Sequence, residues 1–214
     1  DAKITNGPQP STPCAKREIV DSKQLSSLLE LQRKLLESMA AGCSTDQILD
    51  DLCRMIEATV PDTLASVMLL ERESGSLNVI SGPSFPAEAL AYFNGMVPSP
   101  NMGLCGNAAL LGEPVYVTDI ATDPRWNGLR EAVGNLGIGA FWSIPFFSEK
   151  QEILGTFAIT SKKRSAPTPF HCRILEIASS LAGITIRNRQ REESLLQWST
   201  VFRDASEGMV ITNP

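Results

Sequence analysis

The sequence predicts an α/β (α+β) domain, with helices at both ends and short paired strands between them. Three observations carry that prediction. Apolar residues recur at helical spacing over Lys23–Met39, again over Gln47–Val60, and once more after Thr168. The middle holds two pairs of short β-rich runs, each pair split by a turn. Hydrophobic residues make up 43% of the 214, enough for a full core, and the 20% that are charged fit an ordinary soluble chain.

Residues 1–24 read as a flexible lead-in, rich in Pro, Ser and Thr and lacking the apolar core of a signal peptide. Leu25, Leu28, Leu29, Leu31, Leu35, Leu36 and Met39 then mark the first helix. Ser44 or Thr45 with Asp46 caps the second, which buries Ile48, Leu49, Leu52, Cys53 and Ile56 before Pro61 and Asp62 end it. Strand character runs from Leu64 to Leu70, turns at Glu73–Ser76 and returns over Leu77–Ser81. Pro86–Phe93 reads as a short helix, and Gly95–Gly103 as a loop whose backbone freedom suits a pocket rim.

The richest stretch begins at Gly103. Gly-Leu-Cys-Gly opens an Ala-rich helix, Gly112-Glu113-Pro114 stops it, and Val115–Val117 forms a short strand that ends at Asp119. A loop with Asp123, Pro124 and Trp126 leads to β-rich runs at Ala140–Phe147 and Gly155–Ser161. The last helix starts near Thr168. Its apolar face, Ile174 to Ile186, continues through Leu195, Leu196 and Trp198 after the sequence has turned charged.

The phrases CGNAA, GEPVYVTDIATDPRW, FWSIPF and LGTFAI, in this order and spacing, resemble a GAF domain. The resemblance is to the type found in bacterial proteins that carry histidine-kinase or cyclic-di-GMP output domains. It implies a central antiparallel sheet of five or six strands. The first and last helices would cover one face, and short helices and loops would enclose a ligand pocket on the other. The sensor domain spans 25–190 on this reading. Residues 191–214 are then a linker helix leading into Val201–Pro214, which resembles the opening of a PAS domain. The implied role is a non-catalytic small-molecule sensor relaying its state through terminal helices. Its output would be cyclic-di-GMP turnover or a histidine kinase.

Pocket candidates are Cys105, Asp119, Trp126, Phe141, Trp142, Ser143 and Phe93. Aromatic walls suit a small-molecule cavity and equally a core. Alternation puts Phe141 and Ser143 on one strand face and Trp142, Ile144 and Phe146 on the other, without saying which face looks inward. Cys105, at a helix start where free N–H groups lower a thiol pKa, invites a redox reading. A similar GVCG segment occurs in free methionine sulfoxide reductases of the GAF type. Those enzymes need another cysteine in the loop corresponding to Ile120–Asn127, which has none, so packing is the favoured role for Cys105. Asp119 is expected to bind loop amides.

Several classes are disfavoured. The single histidine, His171, falls at the start of the last helix and reads as a surface residue, which argues against haem. No Cys-His pair supports a bilin, and no copy of the cyclic-nucleotide signature is found. The formal charge of −5 argues against a nucleic-acid surface, and no window approaches a membrane span. P-loop, GxSxG and HExxH motifs are absent. Five cysteines, an odd number without a CxxC, suggest a reduced, cytoplasmic setting. The apolar stripes on the terminal helices suggest a homodimer, and a dimerisation module with an empty pocket remains a third reading.

Overall fold

A computed structural model describes residues 21–99, 103–126 and 137–206. The chain forms α1 (Ser22–Ala40), α2 (Thr45–Thr59), β1 (Thr63–Leu70), β2 (Leu77–Ser81), α3 (Ala87–Phe93) and α4 (Gly103–Leu111). There follow β3 (Val115–Val117), a 3-10 turn at Pro124–Trp126, β4 (Ala140–Phe147), β5 (Ile153–Ser161) and α5 (Pro169–Ser206). The five strands make one antiparallel sheet in the order β2-β1-β5-β4-β3.

Local chemistry fixes the helix starts. Asp21 and Ser44 each close a reciprocal capping box with the glutamine three residues on, Gln24 and Gln47. At α5, Pro169 occupies the first turn, where its missing N–H costs nothing. Thr168 Oγ1 accepts from the His171 backbone, while the Thr168 N–H donates to His171 Nδ1. Gly103 already belongs to α4, so the Gly-Leu-Cys-Gly run is the helix's first turn and not a turn before it. Gly112, at φ +68°, takes the left-handed conformation that ends α4.

Helices α2 and α5 lie on one face of the sheet, and α1 packs against both of them. Leu28, Leu31 and Leu35 from α1 and Leu49, Leu52 and Ile56 from α2 join Ile174, Leu175, Ala178 and Leu181 from α5. They bury Val67, Trp142, Phe157 and Ile159 beneath them. Gly155 permits the centre of the sheet to close: a Cβ there would sit 2.1 Å from the Met68 carbonyl oxygen and 2.6 Å from the Phe146 ring. Pro145 lies beyond the end of β3, which pairs only with Phe141–Ser143, so its missing donor falls where β4 has lost one neighbour.

Three expectations need correction. Leu28, Leu35 and Leu181 are not part of an exposed stripe but are buried in their own domain. Among the described residues, the large apolar side chains left exposed on the terminal helices are Leu25, Leu29, Leu36, Leu195, Leu196 and Trp198. His171 is half-buried and stacks on Trp142, with ring centres 4.9 Å apart, because α5 lies flat on the sheet there. The cysteines are not all reduced. Cys43, Cys53 and Cys105 are free, but the buried Cys172 is disulfide-bonded, a pairing that no local sequence spacing announces. Residues 1–20 of the lead-in and 207–214 of the PAS-like stretch lie outside the described residues; α5 itself continues through Ser206. No helix among the described residues is long and apolar enough to cross a membrane.

Candidate functional site

The second face of the sheet is capped by α3, α4 and the 3-10 turn, and a cavity lies beneath this cap. Its floor is Ser66 and Met68 of β1, Val79 of β2, Phe141 of β4 and Thr160 of β5. Its roof is Phe85, Leu90 and Phe93 around α3, Met96 after it, Cys105 of α4, Trp126 and Ile138. Met96 is held in place by backbone bonds to Leu77, which tie the end of the cap to β2. The cavity is about 30 Å³, room for about two waters at ~10–15 Å³ each. Anything of metabolite size enters only if the cap moves.

Period-two alternation decides which strand residues reach this space. On β4 Phe141 faces the cap, with Trp126 edge-on at 5.7 Å, while Trp142 faces the helices. On β5 Phe157 and Ile159 go to the helices, and Thr156, Ala158 and Thr160 go to the cap. Of the residues singled out by sequence, Cys105, Trp126, Phe141 and Phe93 line the cavity. Ser143 is buried behind Cys105, its hydroxyl 3.8 Å from the sulfur. Trp142 lies on the opposite face of the sheet. Asp119 is outside the cavity: it accepts from the Ala121 N–H at 3.0 Å and pairs with Arg164 at 3.2 Å, bracing the loop after β3. Asp123 does likewise through a two-pronged pairing with Arg125.

Ser66, Met68, Val79, Leu90, Met96, Ile138 and Thr160 were missed. The small polar residues Ser66, Thr156 and Thr160 recur within otherwise apolar strands on one alternation face, a signal for a lined space that the sequence does contain.

Burial pushes the Cys105 thiol above its ordinary range. The Thr156 hydroxyl, whose contact falls short of hydrogen-bond geometry, and Ser143 oppose this only in part. The helix-start environment therefore does not make this a thiolate at neutral pH, and no charge among the described residues offsets the burial. Among the described residues no cluster of three or more His, Cys, Asp or Glu could hold a metal. Two residues of the cavity lining, Trp126 and Thr160, each carry a buried polar atom, Nε1 and Oγ1, without a hydrogen-bond partner.

Two side chains of α5 reach across to the backbone of β4. Ser179 Oγ donates to the Pro145 carbonyl at 3.0 Å, and Arg187 Nη1 donates to the Phe147 carbonyl at 2.8 Å. The strand that supplies Phe141 to the cavity is thus bonded at its far end to the longest helix.

Comparison with known proteins agrees with this architecture. The chain is 31% identical over 201 residues to a methyl sulfide methyltransferase-associated sensor from Methanosarcina acetivorans. The alignment takes in 92% of this chain but only 20% of that protein's length. Among solved structures, the GAF domain of a phosphoenolpyruvate-protein phosphotransferase from Coxiella burnetii superposes with a TM-score of 0.66 at 16% identity, covering 81% of this chain and 99% of that one. Free methionine-R-sulfoxide reductase from Neisseria meningitidis, solved with its substrate, gives 0.64 at 13% identity over 84% and 99%. Residues 30–187 match the family described as GAF domain, and the chain belongs to that family.

Proposed function

We propose that this GAF sensor domain binds a small molecule between sheet and cap and passes its state through α5 to a following output domain. The observation that carries this reading is the pairing of a nearly closed cavity with a floor strand hydrogen-bonded to α5. A ligand larger than the present space binds a rearranged cap better than this one. That difference in affinity is what a two-state relay requires. Helix α5 runs on to Ser206, and none of its described side chains beyond Ile186 is buried, so it has the length to reach another module. The output would be cyclic-di-GMP turnover or a histidine kinase, and the segment after α5 the start of a PAS domain.

Dimerisation belongs to the same proposal. Leu25, Leu29 and Leu36 on α1 and Leu195 and Leu196 on α5 are each more than half exposed. Two-fold pairing of these helices would cover them and align two outputs. Light scattering should then report a dimer that Leu29→Glu with Leu195→Glu dissociates; a wild-type monomer at high concentration would remove this part.

The test of the relay fills the cavity from within. Cys105→Leu pushes extra volume against the roof, and hydrogen exchange is followed along α5. Altered exchange between Ser179 and Thr200 is expected. If exchange changes around the cavity while α5 is unaffected, the relay is wrong. The competing reading, a Cys105-dependent reductase, gains nothing from a buried thiol held protonated by its surroundings.

A further inference from the structure

We propose that the cavity takes a small, uncharged, largely apolar molecule that carries a hydrogen-bond acceptor, received by Trp126 Nε1 and Thr160 Oγ1. This rests on the sensor reading of the cavity and adds the chemical class of its occupant.

Charge is the first constraint. Among the described residues, none that lines the cavity is ionised at neutral pH: the polar members are Ser66, Thr160, Trp126 and the thiol of Cys105, and the rest are apolar or aromatic. A phosphate, carboxylate or ammonium placed here would lose its water without gaining a counter-charge, so it is rejected.

The second constraint is hydrogen bonding. Buried polar side chains in folded proteins are nearly always paired, and an unpaired one calls for a cause. Trp126 and Thr160 are each 1% exposed, each lacks a partner, and both line the same small space. The Trp142 Nε1 is also unpaired, but it belongs to the layer under α5 and not to the lining of this cavity. An indole N–H can only donate, and a threonine hydroxyl can donate or accept. The complementary group is therefore an acceptor such as a carbonyl or ether oxygen. The apolar body of the ligand would meet Met68, Phe93 and Phe141, whose sulfur and ring faces suit a flat or polarizable molecule.

Three probes of similar size separate the terms: acetophenone, neutral with an acceptor; ethylbenzene, neutral without one; and benzoate, charged. Calorimetric titration of the 214-residue chain should show acetophenone binding about a hundredfold tighter than ethylbenzene, the worth of two net hydrogen bonds of about tenfold each, and no benzoate binding. Thr160→Val and Trp126→Phe should each weaken acetophenone about tenfold and leave ethylbenzene within about twofold, which also shows that the variants are folded. Equal binding of acetophenone and ethylbenzene, preference for benzoate, or no binding by any of the three overturns the proposal. The last result would leave the two polar atoms serving only trapped water. The sensor reading fails separately, if acetophenone binds and hydrogen exchange in α5 does not respond.

Discussion

The two faces of the sheet are both buried but obey different rules. On the helix side, Val67, Trp142, Phe157 and Ile159 meet the long helices across a continuous apolar layer. On the cap side the same strands present Ser66, Met68, Phe141, Thr156 and Thr160 to short helices and loops, and a cavity remains. Where long helices supply the cover, side chains can be large and interlocked. Where the cover is α3 and α4, of seven and nine residues, it contributes few side chains and leaves space. One face is filled by large interlocked side chains, and the other keeps space beneath its cap.

The sharpest test of that division is a pair of truncations. Phe157→Ala empties a fully buried site under α5 and should cost about 3–5 kcal/mol. Phe141→Ala removes the same group beside an existing cavity under a cap that can settle, so its cost should be about 1–2 kcal/mol smaller, toward the collapsible end of such substitutions. Urea denaturation of both variants measures this. Equal losses would mean that the cap is as firmly packed as the helix layer.

A second contrast concerns hydroxyls. Thr63 Oγ1 donates to the Val60 carbonyl at 2.6 Å, so Thr63→Val should destabilise by about 1 kcal/mol. Thr160 Oγ1 has no partner, so Thr160→Val should be neutral or stabilising by up to about 1 kcal/mol. Gaining stability at Thr160 while losing acetophenone affinity would mark it as a residue kept for binding. If Thr160→Val destabilises as much as Thr63→Val, its hydroxyl has a structural partner after all.

The link between the faces should give a smaller effect. Ser179→Ala removes the buried bond to the Pro145 carbonyl and should cost about 1 kcal/mol, with the loss visible as faster exchange at the end of β4. If exchange there is unchanged, α5 holds β4 through packing alone.

Most of the fold was legible because each element carried its own signal. The β2 and β4 limits, Leu77–Ser81 and Ala140–Phe147, agree with those read from turn residues and alternation. The Ser44-Thr45 pair marked the helix start, and Ser44 is the one of the two that caps it. The site was legible only in part. Alternation on β4 separates Phe141 from Trp142 but is symmetric between faces, so it took the positions of α5 and α4 to assign them. Trp142 looked like a pocket aromatic for that reason. Thr160 was overlooked because a threonine in a strand is unremarked until its hydroxyl is seen to lack a partner. The exposed leucines of α1 were confused with buried ones because a stripe at three-four spacing is wider than the seam one domain covers. The bonded state of Cys172 has no local pattern to read.

The smallest expected effect lies on the helix side and concerns protonation. Burial beside Trp142 holds the His171 pKa below its ordinary 6.5. Its Nδ1 accepts from the Thr168 N–H, a bond made only while that nitrogen is unprotonated. The unfolded chain takes up a proton near pH 6.5, and the native chain resists it until the pH falls further. Between those two points the unfolded state binds more protons, so stability decreases as pH decreases, and levels off once the native pKa is passed. The contribution is fully present above pH 6.5. His171→Gln keeps a side-chain acceptor and removes the titration, so the difference in stability between wild type and variant should shrink from pH 7.5 to pH 5. A difference that stays constant across that range would place the ring in ordinary solvent, and the start of α5 would then be less firmly seated on the sheet than its stacking on Trp142 requires.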